Sequence, residues 1–134
     1  MAAALLATAP LISWATGQPL KLSPRVQAAI ATALGEGELL VSAISAWELG
    51  ALEQEGRLAL TMALEDWWAT LALVEGLQVL PITAPLALAA SQLPGNFPGT
   101  LSDRLVVAQA RASNALLITA DPALRSYGHV NGIW

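Results

Sequence analysis

A chain of 134 residues, 55% hydrophobic and only 12% charged, carries enough apolar side chain for one domain with a buried core, residues 1–134, and falls outside the disordered class. Its net charge of −4 argues against a constitutively basic nucleic-acid binder, but not against a nuclease whose cations reverse the field of an acidic pocket. The lack of cysteine excludes disulfide scaffolds, thiolate metal sites and thiol catalysis.

In chain order, Ala3 to Ala7 reads as a strand and the residues through Trp14 as a short helix, stopped by Gly17-Gln18-Pro19. No charge precedes Lys21, so a signal peptide or membrane span is the alternative for this stretch. It lacks a basic leader, Pro10 interrupts it, and Ser13, Thr16, Gly17 and Gln18 thin it out; no membrane segment is expected. Ser23-Pro24 is an N-cap and first-turn pair for a helix to about Leu34, closed by Gly35. Glu38 to Val41 predicts a strand, Ser45 to about Gln54 a helix ending at Gly56, and Thr61 to Glu75 a long amphipathic helix. Leu77 to Ile82 predicts a strand, followed after Thr83-Ala84-Pro85 by a helix to Leu93. Pro94 to Gly99 is rich in breakers and reads as a loop. Ser102 to Ser113 predicts a helix, Leu116 to Thr119 a strand, Asp121-Pro122 the start of a short helix, and Val130 to Trp134 an edge strand. Apolar strands alternating with helices predict a three-layer α/β/α domain with a mostly parallel sheet of four or five strands.

Three short stretches set a carboxylate beside an apolar run. Glu48 follows Leu39-Leu40-Val41, Asp103 opens the run from Leu105, and Asp121 follows Leu116-Leu117-Ile118-Thr119-Ala120. A fourth stretch of the same shape, Leu5-Leu6-Ala7-Thr8, carries Ala7 where an acid is expected. Parallel α/β sheets build their sites outside the carboxyl ends of the strands, where Ala7 and Asp121 fall, while Glu48 and Asp103 lie in the first turns of helices that can face the same crevice. Carboxylates converging there repel one another by about 4 kcal/mol per pair at ~4 Å and an effective dielectric near 20. Such a cluster takes up protons or holds a hard cation, Mg²⁺ or Mn²⁺, and the pattern reads as a divalent-metal phosphodiesterase site with one ligand removed.

Each residue also has a plain structural role open to it. Glu48 reads equally as a solvated helix residue, Asp103 as half of a capping arrangement, and Asp121 as an N-cap before Pro122. Arg104 reads as a phosphate ligand or a brace for Asp103, or as one half of an ion pair. His129, the one histidine, follows Gly128 in a late turn and is not expected to be catalytic. Trp67 and Trp68 read as core, or with Trp14 and Trp47 as the lining of a groove for a partner helix.

Four blocks occur in order along nearly the whole chain. They are Leu5-Leu6-Ala7-Thr8 with Leu11-Ile12-Ser13-Trp14 and Thr16-Gly17-Gln18-Pro19; Ser42 to Gly50 (Ser-x-x-Ser-x-Trp-Glu); Ser102 to Ala110 (Asp-Arg-Leu-hydrophobic-x-Ala); and Thr119 to Gly128 (Thr-x-Asp-Pro-x-Leu-x-x-Tyr-Gly). Together they resemble the PIN-domain ribonucleases of the VapC toxin family. The resemblance implies a cytoplasmic, Mg²⁺- or Mn²⁺-dependent endoribonuclease toxin of a type II toxin–antitoxin system. It implies RNA as substrate, a homodimer, and a VapB-like antitoxin whose C-terminal segment covers apolar grooves and offers a basic residue to the site. It also implies Glu48, Asp103 and Asp121 as catalytic, metal-binding acids, with Thr8, Thr119 and Arg104 in support.

Two positions depart from the family pattern. Ala7 stands where the family has an aspartate that is usually a metal ligand, so the chain is expected to be inactive or impaired. Either a naturally degenerate member or an Asp-to-Ala change made to silence a toxic enzyme accounts for it, the second favoured by the intact neighbours. Thr100-Leu101-Ser102 replaces an Asp-Pro-Phe found before Asp-Arg in many relatives. Outside enzymology, a PIN-fold binding module without catalysis is the alternative. A metal-dependent phosphatase of another α/β type is disfavoured because no Asp-x-Asp pair is present.

Overall fold

Strands of three or four residues with no charged side chain suit the covered middle layer of a sandwich; the three central strands are used so here, while the two edge strands expose Gln78 and Asn131. The computed structural model describes residues 3–134, with β1 Ala4–Leu6, β2 Leu39–Ser42, β3 Leu77–Leu80, β4 Leu116–Ile118 and β5 Asn131–Ile133. They form one sheet in the order β3-β2-β1-β4-β5, and every pairing is parallel, so the expected mostly parallel sheet is wholly so. Registers such as Leu5 with Leu40 and with Leu117 keep alternate side chains on common faces.

Ala4, Leu6, Leu39, Val41, Leu77 and Ile118 meet helices α1 (Thr8–Thr16), α2 (Pro24–Gly35) and α4 (Leu64–Ala72) on one face. Leu5, Leu40 and Leu117 meet α6 (Leu101–Ala112) and α7 (Pro122–Arg125) on the other. Leu5, Leu6, Leu39 and Leu117 are wholly buried, each worth about 1.5–3 kcal/mol of burial. Helix α5 (Ala84–Ser91) packs on α6 through Ala90, Leu105 and Ala108. Helix α3 (Ala43–Gln54) touches both α1 and α6 and so bridges the two layers.

Two helices differ from the sequence expectation. The Ser42 hydroxyl accepts from the Ile44 N–H and starts α3 at Ala43, two residues early, which moves Glu48 from the first turn to the second. The helix expected over 61–75 covers only Leu64–Ala72. Its N-cap, Ala63, offers no side-chain bond, and the chain beyond Leu73 turns to reach Gly76 and β3. Among the described residues no helix is long and apolar enough to cross a membrane.

The strand order places the site. From β1 the chain steps outward through β2 to β3, then returns to β4 on the other side of β1, so the carboxyl ends of β1 and β4 flank the topological switch point.

Candidate active site

Ala7, Thr8, Glu48, Asp103, Thr119 and Asp121 line a single cavity of about 220 Å³ at this switch point. Residue 7 is held by its backbone: its N–H donates to Ile118 O at 3.0 Å, and its carbonyl accepts from the Leu11 N–H at 2.9 Å. It is the N-cap of α1, and its methyl group leaves that helix without a side-chain cap. Because Pro10 removes the N–H two positions beyond Thr8, the Ala9 N–H is the donor an acid here would cap.

Glu48 reaches the cavity from α3. The Thr8 hydroxyl donates to its Oε1 at 2.6 Å, and Ser45 Oγ lies 2.8 Å from Thr8 Oγ1. Thr8 has one hydroxyl proton, committed to Glu48, so Ser45 is the donor to Thr8 and the chain runs Ser45 to Thr8 to Glu48. Ser45 is fully buried and holds the orientation of a site residue, yet it was not singled out from the sequence. Its position three residues before Glu48 on one helical face was the available signal.

The acids from α6 and the β4–α7 turn are both caps and cavity-lining groups. Asp103 Oδ2 accepts from the Thr100 N–H at 3.0 Å while the Asp103 N–H donates to Thr100 Oγ1 at 3.2 Å, a reciprocal capping box. Asp121 Oδ1 accepts from the Ala123 N–H at 2.9 Å, and the Asp121 N–H donates to Thr119 Oγ1 at 3.1 Å. The two readings of each acid therefore coexist: one oxygen serves the helix, and the residue still borders the cavity.

Arg104 does not join them. Its Nη1 donates to Ala90 O at 3.2 Å and its guanidinium lies 5.2 Å from the centre of the Phe97 ring, away from the cavity lining. It makes no ion pair; the one salt bridge among the described residues joins Arg57 and Glu55. The tryptophans divide. Trp67, Trp68 and Trp14 pack against the core, yet Trp14 and Trp67 also line an apolar groove with Met62 and Leu71. Trp47 is 66% exposed beside Glu48, in a second groove with Ile12 and Leu52.

Among the described residues, no three carboxylate or histidine side chains stand close enough to hold an ion. The oxygen donors of Glu48, Asp103 and Asp121 suit a hard divalent cation in kind. As placed, they do not stand close enough together to share one ion, and Ala7 lines the same cavity.

Burial pushes the Glu48 carboxyl above its ordinary value; the Thr8 hydroxyl opposes this, and the Asp103 charge adds to it. A carboxyl that binds its proton more tightly when folded contributes stability at low pH and loses it as pH rises from the unfolded value of 4.5 through the folded one. Glu48→Gln is therefore expected to melt at a higher temperature than the parent at pH 7, with the gain vanishing at pH 4. Equal melting temperatures at pH 7 would refute this account of Glu48.

A wholly parallel sheet with carboxylates from three separate segments lining one cavity at its switch point defines an α/β protein with an acidic cavity at the carboxyl ends of its strands. The PIN domain family model matches residues 11–130, which include Glu48, Asp103 and Asp121. Ribonuclease VapC22 of Mycobacterium tuberculosis is 37% identical over 116 residues, covering 87% of this chain and 85% of that protein. A toxin–antitoxin complex from Klebsiella pneumoniae contains a chain of similar fold (TM-score 0.64, 17% identity, 96% of this chain and 95% of that one). DNA-bound VapBC from Salmonella typhimurium contains another (TM-score 0.66, 15% identity, 99% and 98%). The chain belongs to the PIN-domain family, among its VapC-type members.

Proposed function

We propose that this chain is the toxin component of a VapBC-type system, a cytoplasmic endoribonuclease whose site is crippled by Ala7. The observation that carries the reading is the convergence of Glu48, Asp103 and Asp121 on one cavity around residue 7. Mg²⁺ or Mn²⁺, when bound, would supply activation of water and charge neutralisation at the phosphodiester. Glu48, Asp103 and Asp121 are the residues that would hold it. Thr8, fixed by Ser45, orients Glu48, and Thr119 orients the backbone of Asp121.

The partner in this reading is a VapB-like antitoxin, as in the VapBC complexes of similar fold. Its apolar segment would cover the Trp14–Met62–Trp67 and Trp47 grooves, and a basic side chain would enter the acidic cavity. We further propose that the toxin is a homodimer and that residues 1–134 act as one domain. That no three acids stand close together among the described residues favours one competitor, a PIN-fold binding module that has given up catalysis.

Calorimetric titration with Mn²⁺ separates them. Ala7→Asp is expected to bind the ion at least about tenfold more tightly than the parent, as one hard anionic ligand is added. Equal affinities would remove position 7 from the ligand set and leave the binding module as the better account.

A further inference from the structure

The net charge of −4 conceals a division of the chain. Apart from Asp103 and Asp121, every acid lies between Glu36 and Glu75, whereas Arg104, Arg111, Arg125 and His129 all fall in the last third. The two remaining acids of that third both line the active-site cavity. A local basic group in a surface without acids attracts a polyanion whatever the sign of the whole molecule, and of the basic residues Arg111 and His129 line one cavity together.

The cavities follow the same division. Past α7, a cavity of about 460 Å³ is lined by Asn96 and Pro98 of the loop before α6 and by Ala123, Ser126, Tyr127 and His129. Next to it lies one of about 380 Å³, lined by Arg111, Asn114, Asn131 and again His129. No acid lines either, and Gly128 and His129 belong to both. The strip lies over the same short helix as the active site, since Ala123 lines it and the next residue, Leu124, lines the acidic cavity. On the other side of that cavity the Trp47 groove carries Glu48 and Glu55, with Arg57 paired to Glu55 at 3.7 Å. The acids there disfavour a phosphodiester chain, whereas neither cavity of the strip carries an acid and one carries Arg111.

The strip is also built rather than loose. The exposed His129 ring is tilted against Tyr127 at 5.2 Å, Tyr127 meets Phe97 edge-on at 5.1 Å, and Arg104 covers Phe97. The Tyr127 hydroxyl donates to Pro94 O at 2.5 Å, tying down the loop. Arg111 Nη1 donates to His129 O at 2.7 Å, which places the guanidinium beside the turn and engages one of its five N–H donors.

We propose that a single strand of RNA leaves the active-site cavity along this strip, over α7 and the His129 turn, with its phosphates against Arg111 and a base stacked on His129. The path deepens the ribonuclease reading and rests on it. It also explains how one molecule presents two surfaces: the acid-free strip with Arg111 takes the substrate and leaves the apolar grooves to the antitoxin.

The test is the anisotropy of a short fluorescein-labelled single-stranded RNA titrated with the parent chain in chelator, across a range of salt. Arg111→Glu is expected to weaken binding about tenfold at low salt and to lower the salt slope by about 1. His129→Ala is expected to weaken it about fivefold with the slope unchanged, because stacking releases no counterions. Arg57→Glu, across the site, leaves binding as in the parent. Thermal melts establish folding; if Arg111→Glu is unfolded, Arg111→Gln replaces it, with a smaller loss in the same direction. The path is overturned if Arg57→Glu weakens binding as much as Arg111→Glu, or if Arg111→Glu and His129→Ala both bind like the parent. It is equally overturned if polyglutamate binds the strip and RNA does not. Cleavage by Ala7→Asp with unaltered affinity in Arg111→Glu sinks the path alone; absence of both RNA binding and cleavage sinks the ribonuclease reading with it.

Discussion

Ala7→Asp is expected to convert the chain into a Mg²⁺- or Mn²⁺-dependent ribonuclease and to make its expression toxic without a partner protein. Residue 7 is positioned by its backbone bonds to Ile118 and Leu11, so a carboxylate there enters the cavity that Glu48, Asp103 and Asp121 already line. Loss of an outer-shell partner alone costs metal sites 10–100-fold, so adding a direct ligand is expected to raise chelator-sensitive cleavage by at least about a hundredfold. The same change caps α1, worth about 1 kcal/mol, and sets a third negative charge beside Glu48 and Asp103, which offsets that gain in chelator. Added Mn²⁺ at a hundred times the variant's dissociation constant should then stabilise the variant by about 2.7 kcal/mol, against at most about 1.4 kcal/mol for the parent, whose affinity is at least about tenfold weaker.

The controls follow from the caps. Asp103→Asn and Asp121→Asn keep a side-chain oxygen that can accept from the Thr100 and Ala123 N–H groups, so the helices keep their caps while the ligand charge is lost. Together with Glu48→Gln, either change in the Ala7→Asp background is expected to abolish cleavage with the fold intact. A restored chain that is folded, binds metal and cleaves no member of a structured RNA panel, while leaving growth unaffected, would give the lead to the binding module.

Gly76→Ala is expected to cost more than about 3 kcal/mol, which for a chain of this length lowers the melting temperature by roughly 10 °C or more. Gly76 has φ of 92°, a conformation that L side chains rarely adopt, and a Cβ there would lie 2.1 Å from Leu34 O. That oxygen belongs to the backbone of α2 and cannot turn aside. The Gly76 carbonyl also accepts from the Leu39 N–H at 3.1 Å, so any shift of the turn disturbs the entry into both β2 and β3. Gly56 supplies the comparison: its φ is 72°, but an added Cβ meets nothing within 4 Å. Gly56→Ala should therefore cost only the conformational term, about 1 kcal/mol. Equal losses for the two variants, measured by thermal or urea unfolding, would discount the steric clash.

The middle layer was legible in the sequence because burial on both faces demands it: Leu39-Leu40-Val41 and Leu116-Leu117-Ile118 admit no charge, and their spacing leaves room for helices between them. The caps at Ser23-Pro24 and Asp121-Pro122 were legible for a local reason, since a cap is made within three residues. The three acids stood out because carboxylates beside buried strands are costly without a purpose. What the chain could not display locally was where those purposes meet. The order β3-β2-β1-β4-β5, which brings residue 7 beside Asp121, is a matter of long-range pairing. The turn of Arg104 toward Phe97 and Ala90 rather than the cavity, and the service of Ser45 to Glu48 through Thr8, depend on neighbours contributed by other segments. Residue types and local spacing determined the elements and nominated the acids; only the tertiary packing decided which side chains face one cavity, because that depends on contacts between residues as far apart as Thr8 and Glu48, or Ala7 and Ile118.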